Sequence, residues 1–178
     1  MNETRTYDQD SATLRVRTGV AGRSARLGHR LILEAKAWRA EAVVEDGVPT
    51  ALTVVVEAAS LDVVASDGGL TSLSAPERAV ARTNAHKSLK VKAFPEIEYR
   101  STSIEQTANG FHVQGGVTLC GQTRPCGFAL DYEDAVPAPA LVAVVPVRQT
   151  DFGIKPFSLM MGTLSVADEV TVEARAIP

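Results

Sequence analysis

The sequence predicts a mainly β protein, a single antiparallel barrel of about eight strands with one α-helix, over about residues 75–88, inserted between the fourth and fifth strands. Three observations carry this. Apolar and polar residues alternate along most of the chain, as in Leu14 and Val16 against Thr13, Arg15 and Arg17, or in Phe111, Val113, Val117 and Leu119. Hairpin turn signals separate the alternating runs, notably Asp46-Gly47 and Asn109-Gly110. One segment breaks the pattern with a helix start: S-A-P-E at 74–77 supplies an N-cap serine, an early proline and a glutamate three residues on, which is a capping box. A barrel is preferred to a sandwich because closure removes the long exposed edges of such strands.

The elements follow in order. Residues 12–18 alternate as a half-buried strand, and residues 19–30, with three glycines, three arginines and a histidine, form a turn-rich excursion. Residues 31–44 resume the alternation as one long bent strand or two. After Asp46-Gly47 the β-branched run 50–57 is a hairpin partner that 60–63 extends or ends, and 66–69 (S-D-G-G) breaks it. The helix carries Arg78, Arg82, His86 and Lys87, a basic surface on an acidic protein. Strands are expected at 96–105, 111–120 and 126–132, with turns at Asn109-Gly110 and around residues 121–125. The V-P-A-P linker at 136–139 leads to a strand at 140–148, whose Pro146 cannot donate to a ladder and so belongs at an edge, bulge or end. The polar turn and apolar cluster of 149–164 come next, and a last strand lies within 164–176.

Composition bounds the function. A chain of 178 residues sustains one core, so residues 1–178 are read as one domain. The net charge of -3 argues against a nucleic-acid partner. The chain starts without the basic stretch and apolar core of a secretory signal, and no apolar run reaches membrane-spanning length, so a cytoplasmic address without an integral membrane segment is expected. In that compartment Cys120 and Cys126 are expected as free thiols; the alternative is a redox bridge, since their places on either side of a hairpin turn would set them nearly opposite each other. Their C-x5-C spacing, with His29, His86 and His112 scattered elsewhere, does not make a metal site, and no cofactor is expected.

Asp151-Phe152-Gly153 spells the magnesium-binding triplet of kinases, but the Gly-rich and H-R-D loops are absent and the chain is too short for that fold. G-x-S-x-G, H-E-x-x-H and P-loop patterns are absent too. A small barrel enzyme using His29, His112 and Asp151 as an acid/base set is the weakest alternative. The inward parity of the strands places Leu14, Val16, Leu31, Leu33, Leu52, Val54, Val56, Ile97 and Tyr99 inside, with Phe152, Phe157 and Met160 closing one end. Alternation says inside and not hollow, so a packed core and a ligand tunnel both stay open. If hollow, Arg23, Arg26 and His29, with Arg82 and His86, are candidates to hold a phosphate or pyrophosphate head. If packed, the chain is a stress-related or protein-interaction module. Homodimer formation is left open.

Several segments, in their order and spacing, carry a resemblance: residues 8–18, 57–63 (E-A-A-S-L-D-V), 93–102 (A-F-P-E-I-E-Y-R-S-T), the G-x-V-T-L-x-G-x-T-R core within 113–124, and 150–154 (T-D-F-G-I). Over most of its length the sequence resembles the YceI-like family of lipocalin-like barrels associated with polyisoprenoid binding. The resemblance implies an extended eight-stranded barrel that encloses a long apolar chain, such as an isoprenoid quinone or a polyprenyl phosphate, without changing it covalently. Two features depart from the family. Many relatives carry a signal peptide and act in the periplasm, and a basic residue often stands immediately before the T-D-F-G turn, where this chain has Gln149 and places Arg148 one residue earlier.

Overall fold

The computed structural model describes residues 2–178. Its strands and helix, in chain order, are β1 (Asn2–Asp8), β2 (Ala12–Arg17), β3 (Val20–Ala21), β4 (His29–Ala35), β5 (Trp38–Glu45), β6 (Val48–Glu57), β7 (Leu61–Gly68), α1 (Ala75–Ser88), β8 (Glu96–Thr107), β9 (Gly110–Leu119), β10 (Gln122–Glu133), β11 (Ala140–Arg148), β12 (Ser158–Leu159), β13 (Leu164–Val166) and β14 (Glu169–Ala176). Eleven strands form one large curled antiparallel sheet in the order β1-β5-β6-β8-β9-β10-β11-β14-β2-β4-β7, and β12-β13-β3 form a small second sheet. Among the described residues α1 is the one α-helix, and no helix is long and apolar enough to cross a membrane.

Eleven strands stand where about eight were expected. Two long runs are each broken in the middle, at matching heights. Lys36 and Ala37 divide β4 from β5, and a 3-10 turn at Ala58–Ser60 divides β6 from β7. The backbone stays paired across both breaks, with Lys36 N–H donating to Ser60 O at 3.2 Å and Glu57 N–H to Ala37 O at 3.0 Å. The third addition, β1, has no apolar alternation to reveal it. Its N-E-T-R-T-Y-D run lies along the free edge of β5, in register from Asn2 opposite Glu45 to Asp8 opposite Arg39.

The hairpin turns show what the glycines are for. Asp46 (φ 51) and Gly47 (φ 85) make a two-residue turn of left-handed conformation, whose twist suits the flanking strands. The Asn109-Gly110 turn lies one residue earlier than expected. Thr107 pairs with Gly110, so Ala108 and Asn109 are the turn and Gly110 opens β9. Gly110 is instead required by a close approach: at φ 153, a Cβ there would lie 2.1 Å from Leu130 O. The next turn is Cys120-Gly121, after which β10 starts at once and continues through Pro125. Pro125 is tolerated because β10 meets β11 only at 131–133 with 140–142, leaving the remainder of that boundary without ladder bonds. Pro146 of β11 lies along the same unpaired stretch.

α1 forms where the capping box places it. Glu77 N–H donates to Ser74 Oγ, and Ser74 N–H donates to Glu77 Oε2 at 2.7 Å. Ala81, Ala85 and the C-cap Leu89 pack against a buried cluster of Leu33, Ala35, Val56, Leu61 and Val63, and His86 Nε2 bonds Leu61 O at 2.8 Å. The helix therefore closes one end of the curled sheet. Replacing Ser74 by Ala removes the acceptor for Glu77 N–H, and the expected loss in urea unfolding is about 1 kcal/mol.

Candidate ligand-binding cavity

Inside the sheet, above the helix-covered end, lies a cavity of about 290 Å³. Its depth is set by Val56, Ile97, Val117 and Val147, and its mouth by Arg5, Tyr7, Gly47, Tyr132 and Pro178. Between them the wall is almost wholly apolar, since every second residue of a strand faces the same way. β5 supplies Trp38, Ala40, Ala42 and Val44, β9 supplies Phe111 and Val113, β10 supplies Cys126, Phe128 and Leu130, and β11 supplies Leu141, Ala143, Val145 and Val147. Small alanines on β5, β11 and β14 leave the space that larger side chains would fill. Among the described residues no charged or polar residue is buried.

The opposite end is packed solid. Leu119, Phe152 and Ile154 form a buried cluster joined by Leu89, Ile97, Val117 and Val147. Phe152 is held there by the turn that contains it. Thr150 donates from Oγ1 (2.6 Å) and N–H (2.8 Å) to the Asp168 carboxylate, Gly153 adopts φ 69, and Arg124 Nε donates to Asp151 O at 2.9 Å. The hydrogen bonds from Thr150 hold the Asp168 carboxyl below its ordinary value.

The structure divides the expected interior residues by height. Leu14, Leu52, Val54, Val56, Ile97 and Tyr99 line the cavity. Val16, Leu31 and Leu33 belong to the packed cluster under α1, and Phe152 is buried in the closed end. Phe157 is half-buried beside the small sheet, where its carbonyl accepts from Val166 N–H at 2.8 Å. Met160 is exposed in a left-handed turn. The expected cations lie away from the cavity wall. Arg23 and Arg26 are exposed next to the small sheet, His29 Nε2 is 2.5 Å from Thr71 O, Arg82 stands 3.8 Å from Asp62, and His86 is bound to Leu61 O. The wall residues on β1, β5, β9, β10, β11 and β14 were not among those expected: β1 is polar and β5 presents Ala40 and Ala42, while the alternation of β9 and β10 gave a face without saying that it borders a cavity.

His29, His112 and Asp151 each have separate surroundings: His112 pairs with Gln114, His29 with Thr71 O, and Asp151 with Arg124 through its carbonyl. Among the described residues no group of three or more His, Cys, Asp and Glu is arranged to hold a metal ion. The cysteines are both free and are not opposite each other, since Cys126 pairs with Gly115 while Cys120 occupies the turn. Cys120 Sγ donates to Leu89 O at 3.1 Å, and burial raises the pKa of both thiols. The indole Nε1 of Trp38 is buried without a hydrogen-bond partner.

Tyr99 is the polar handle of the wall. Its hydroxyl donates to Cys126 O at 3.1 Å and its ring meets Phe128 at a centroid distance of 5.3 Å. Burial pushes its pKa up to about 12. Because the folded state favours the neutral phenol, this contribution to stability is complete below pH 10 and is lost as pH rises from 10 through about 12. Urea midpoints measured across that interval should fall, and Tyr99→Phe should remove this part of the fall.

An antiparallel sheet curled around an apolar cavity, closed at one end by a helix and open at the other, defines the class of a barrel-like β protein. The chain belongs to the YceI-like domain family, whose model matches residues 7–177. No curated protein matches it. Among solved structures it is similar to Burkholderia cenocepacia BcnA, at 13% identity and a TM-score of 0.68, covering 92% of this chain and 94% of that one. A Campylobacter jejuni YCEI protein matches at 10% identity and a TM-score of 0.48, covering 98% of this chain and 85% of that one. At 13% identity the likeness to BcnA shows the fold alone.

Proposed function

We propose that this protein binds and sequesters a long apolar isoprenoid-type molecule, a polyprenyl phosphate or an isoprenoid quinone, without chemically changing it. The observation that carries the reading is the open, apolar cavity of about 290 Å³, near the lower end of the range for ligand pockets. Such a wall binds by area, at about 0.8 kcal/mol for each CH2 group removed from water, and a repeating hydrocarbon chain offers many such groups. Leu14, Leu52, Val54, Val56, Ile97 and Tyr99 are the contacts from one flank, and Phe111, Phe128, Ala143 and Val145 face them from the other.

The eleven strand segments act in this reading as eight strand paths. β1 with β2, β4 with β5, and β6 with β7 each make one path, and β2 beside β14 completes the circuit. The whole chain works as one domain, in a cytoplasmic setting that keeps Cys120 and Cys126 reduced.

The test uses the chain's single tryptophan, Trp38, as an internal reporter in the cavity wall. A fluorescent apolar dye should bind saturably with energy transfer from Trp38, and both a long-chain quinone and a polyprenyl phosphate should displace it. Ala143→Phe puts a ring into the cavity and should weaken binding about tenfold, which is about 1.4 kcal/mol, with the circular dichroism spectrum retained. Absence of a saturable site in the folded wild-type chain refutes the reading, as does an Ala143→Phe chain that binds as tightly as wild type.

A further inference from the structure

Two features that the cavity leaves unused, the Arg23/Arg26 loop and the Met160-Met161 turn, meet at one tip of the molecule. Ser24 N–H donates to Thr163 O at 2.8 Å, and a Cβ on Gly22 would stand 2.3 Å from the same oxygen, so the two segments are in intimate contact. Thr163 in turn closes the methionine turn, donating from N–H (3.2 Å) and Oγ1 (2.8 Å) to Met160 O. Met160 (φ 51) and Met161 (φ 55) both adopt left-handed backbone, which costs a side-chain-bearing residue energy and here turns both side chains outward. Met161 is fully exposed, Met160 is 57% exposed and Leu159 52%, with Leu27 beside them at 41%.

Charge at this tip runs against that of the whole protein. The chain has a net charge of -3, yet residues 19–28 and 152–167 contain Arg23, Arg26 and Lys155 and no Asp or Glu. Among the described residues none of these three cations makes an ion pair. Exposed flexible thioethers next to uncompensated cations match the interface of an anionic lipid layer, where apolar side chains enter among the headgroups and guanidinium groups meet phosphates.

We propose that this tip docks the protein onto an anionic lipid surface, with Leu159, Met160 and Met161 inserting and Arg23, Arg26 and Lys155 binding headgroup phosphates. The tip lies beside the closed end, so docking leaves the cavity mouth facing the aqueous side. It does not depend on what the cavity holds, and the two ideas fail separately.

The test is co-sedimentation of the full chain with phosphatidylcholine vesicles, with and without phosphatidylglycerol, across salt concentration. The expected result is association with the anionic vesicles alone, weakening as salt screens the arginines. The double variants Met160→Ser/Met161→Ser and Arg23→Gln/Arg26→Gln should each reduce association about tenfold or more, while keeping the wild-type circular dichroism spectrum and urea midpoint as proof of fold. The proposal is overturned if the wild-type chain sediments no better with anionic than with neutral vesicles, the result expected of a protein-docking tip. It is equally overturned if either double variant sediments as wild type does.

Discussion

Leu89 and Ile97 touch both of the packed clusters at the closed end, the one under α1 and the one around Phe152. This double contact is the constraint on which the remainder depends. A curled sheet with apolar inner faces is either an open trough or a filled core unless something stops one end while leaving the other free. Leu89 stops it from the helix side and Ile97 from the sheet, and the two are near enough in sequence that the short segment after α1 ties them together. Phe152 and Ile154 complete the seal from the far side of the chain, pinned by Thr150 on Asp168. Above that floor the strands continue, but small residues such as Ala40, Ala143 and Ala174 fail to meet across the interior.

Packed core and open cavity are thus separated by height within one structure. Low on the barrel, side chains such as Leu33 and Val63 are buried by helix and sheet and supply stability. Higher up, side chains of equal hydrophobicity, such as Leu52 and Val145, are covered only partly by protein and present apolar surface to the cavity. That surface stays costly in water until something apolar covers it. The polar groups near it are already satisfied where they could be, as Tyr99 shows by donating to Cys126 O. The charged groups lie at the mouth, where Arg5 pairs with Glu3 and Arg175 with Glu133, while along the wall the buried indole Nε1 of Trp38 has no hydrogen-bond partner.

Much of this was legible in the sequence. The alternation of Leu52, Val54 and Val56, and of Ile97 and Tyr99, marks a face that the structure turns toward the cavity, and S-A-P-E marks the start of α1. Position along the strand axis was not legible. Val16 and Leu14 share a parity and both pack against the cluster under α1, yet only Leu14 also lines the cavity, because the floor is made by residues remote in sequence. The cations Arg82 and His86 were placed on the helix correctly, but nothing local says that the helix caps the end away from the mouth. β1 went unread because an edge strand exposed along most of its length needs no apolar pattern, only a free neighbour to pair with.

The central claim is that the cavity exists to hold a long apolar molecule. Organic extraction and mass spectrometry of the purified full chain, after incubation with an equimolar mixture of a long-chain isoprenoid quinone and a polyprenyl phosphate, test it most directly. The account predicts one such molecule retained per protein chain through gel filtration, and its loss in Ala143→Phe. A folded protein that emerges with neither molecule would contradict it.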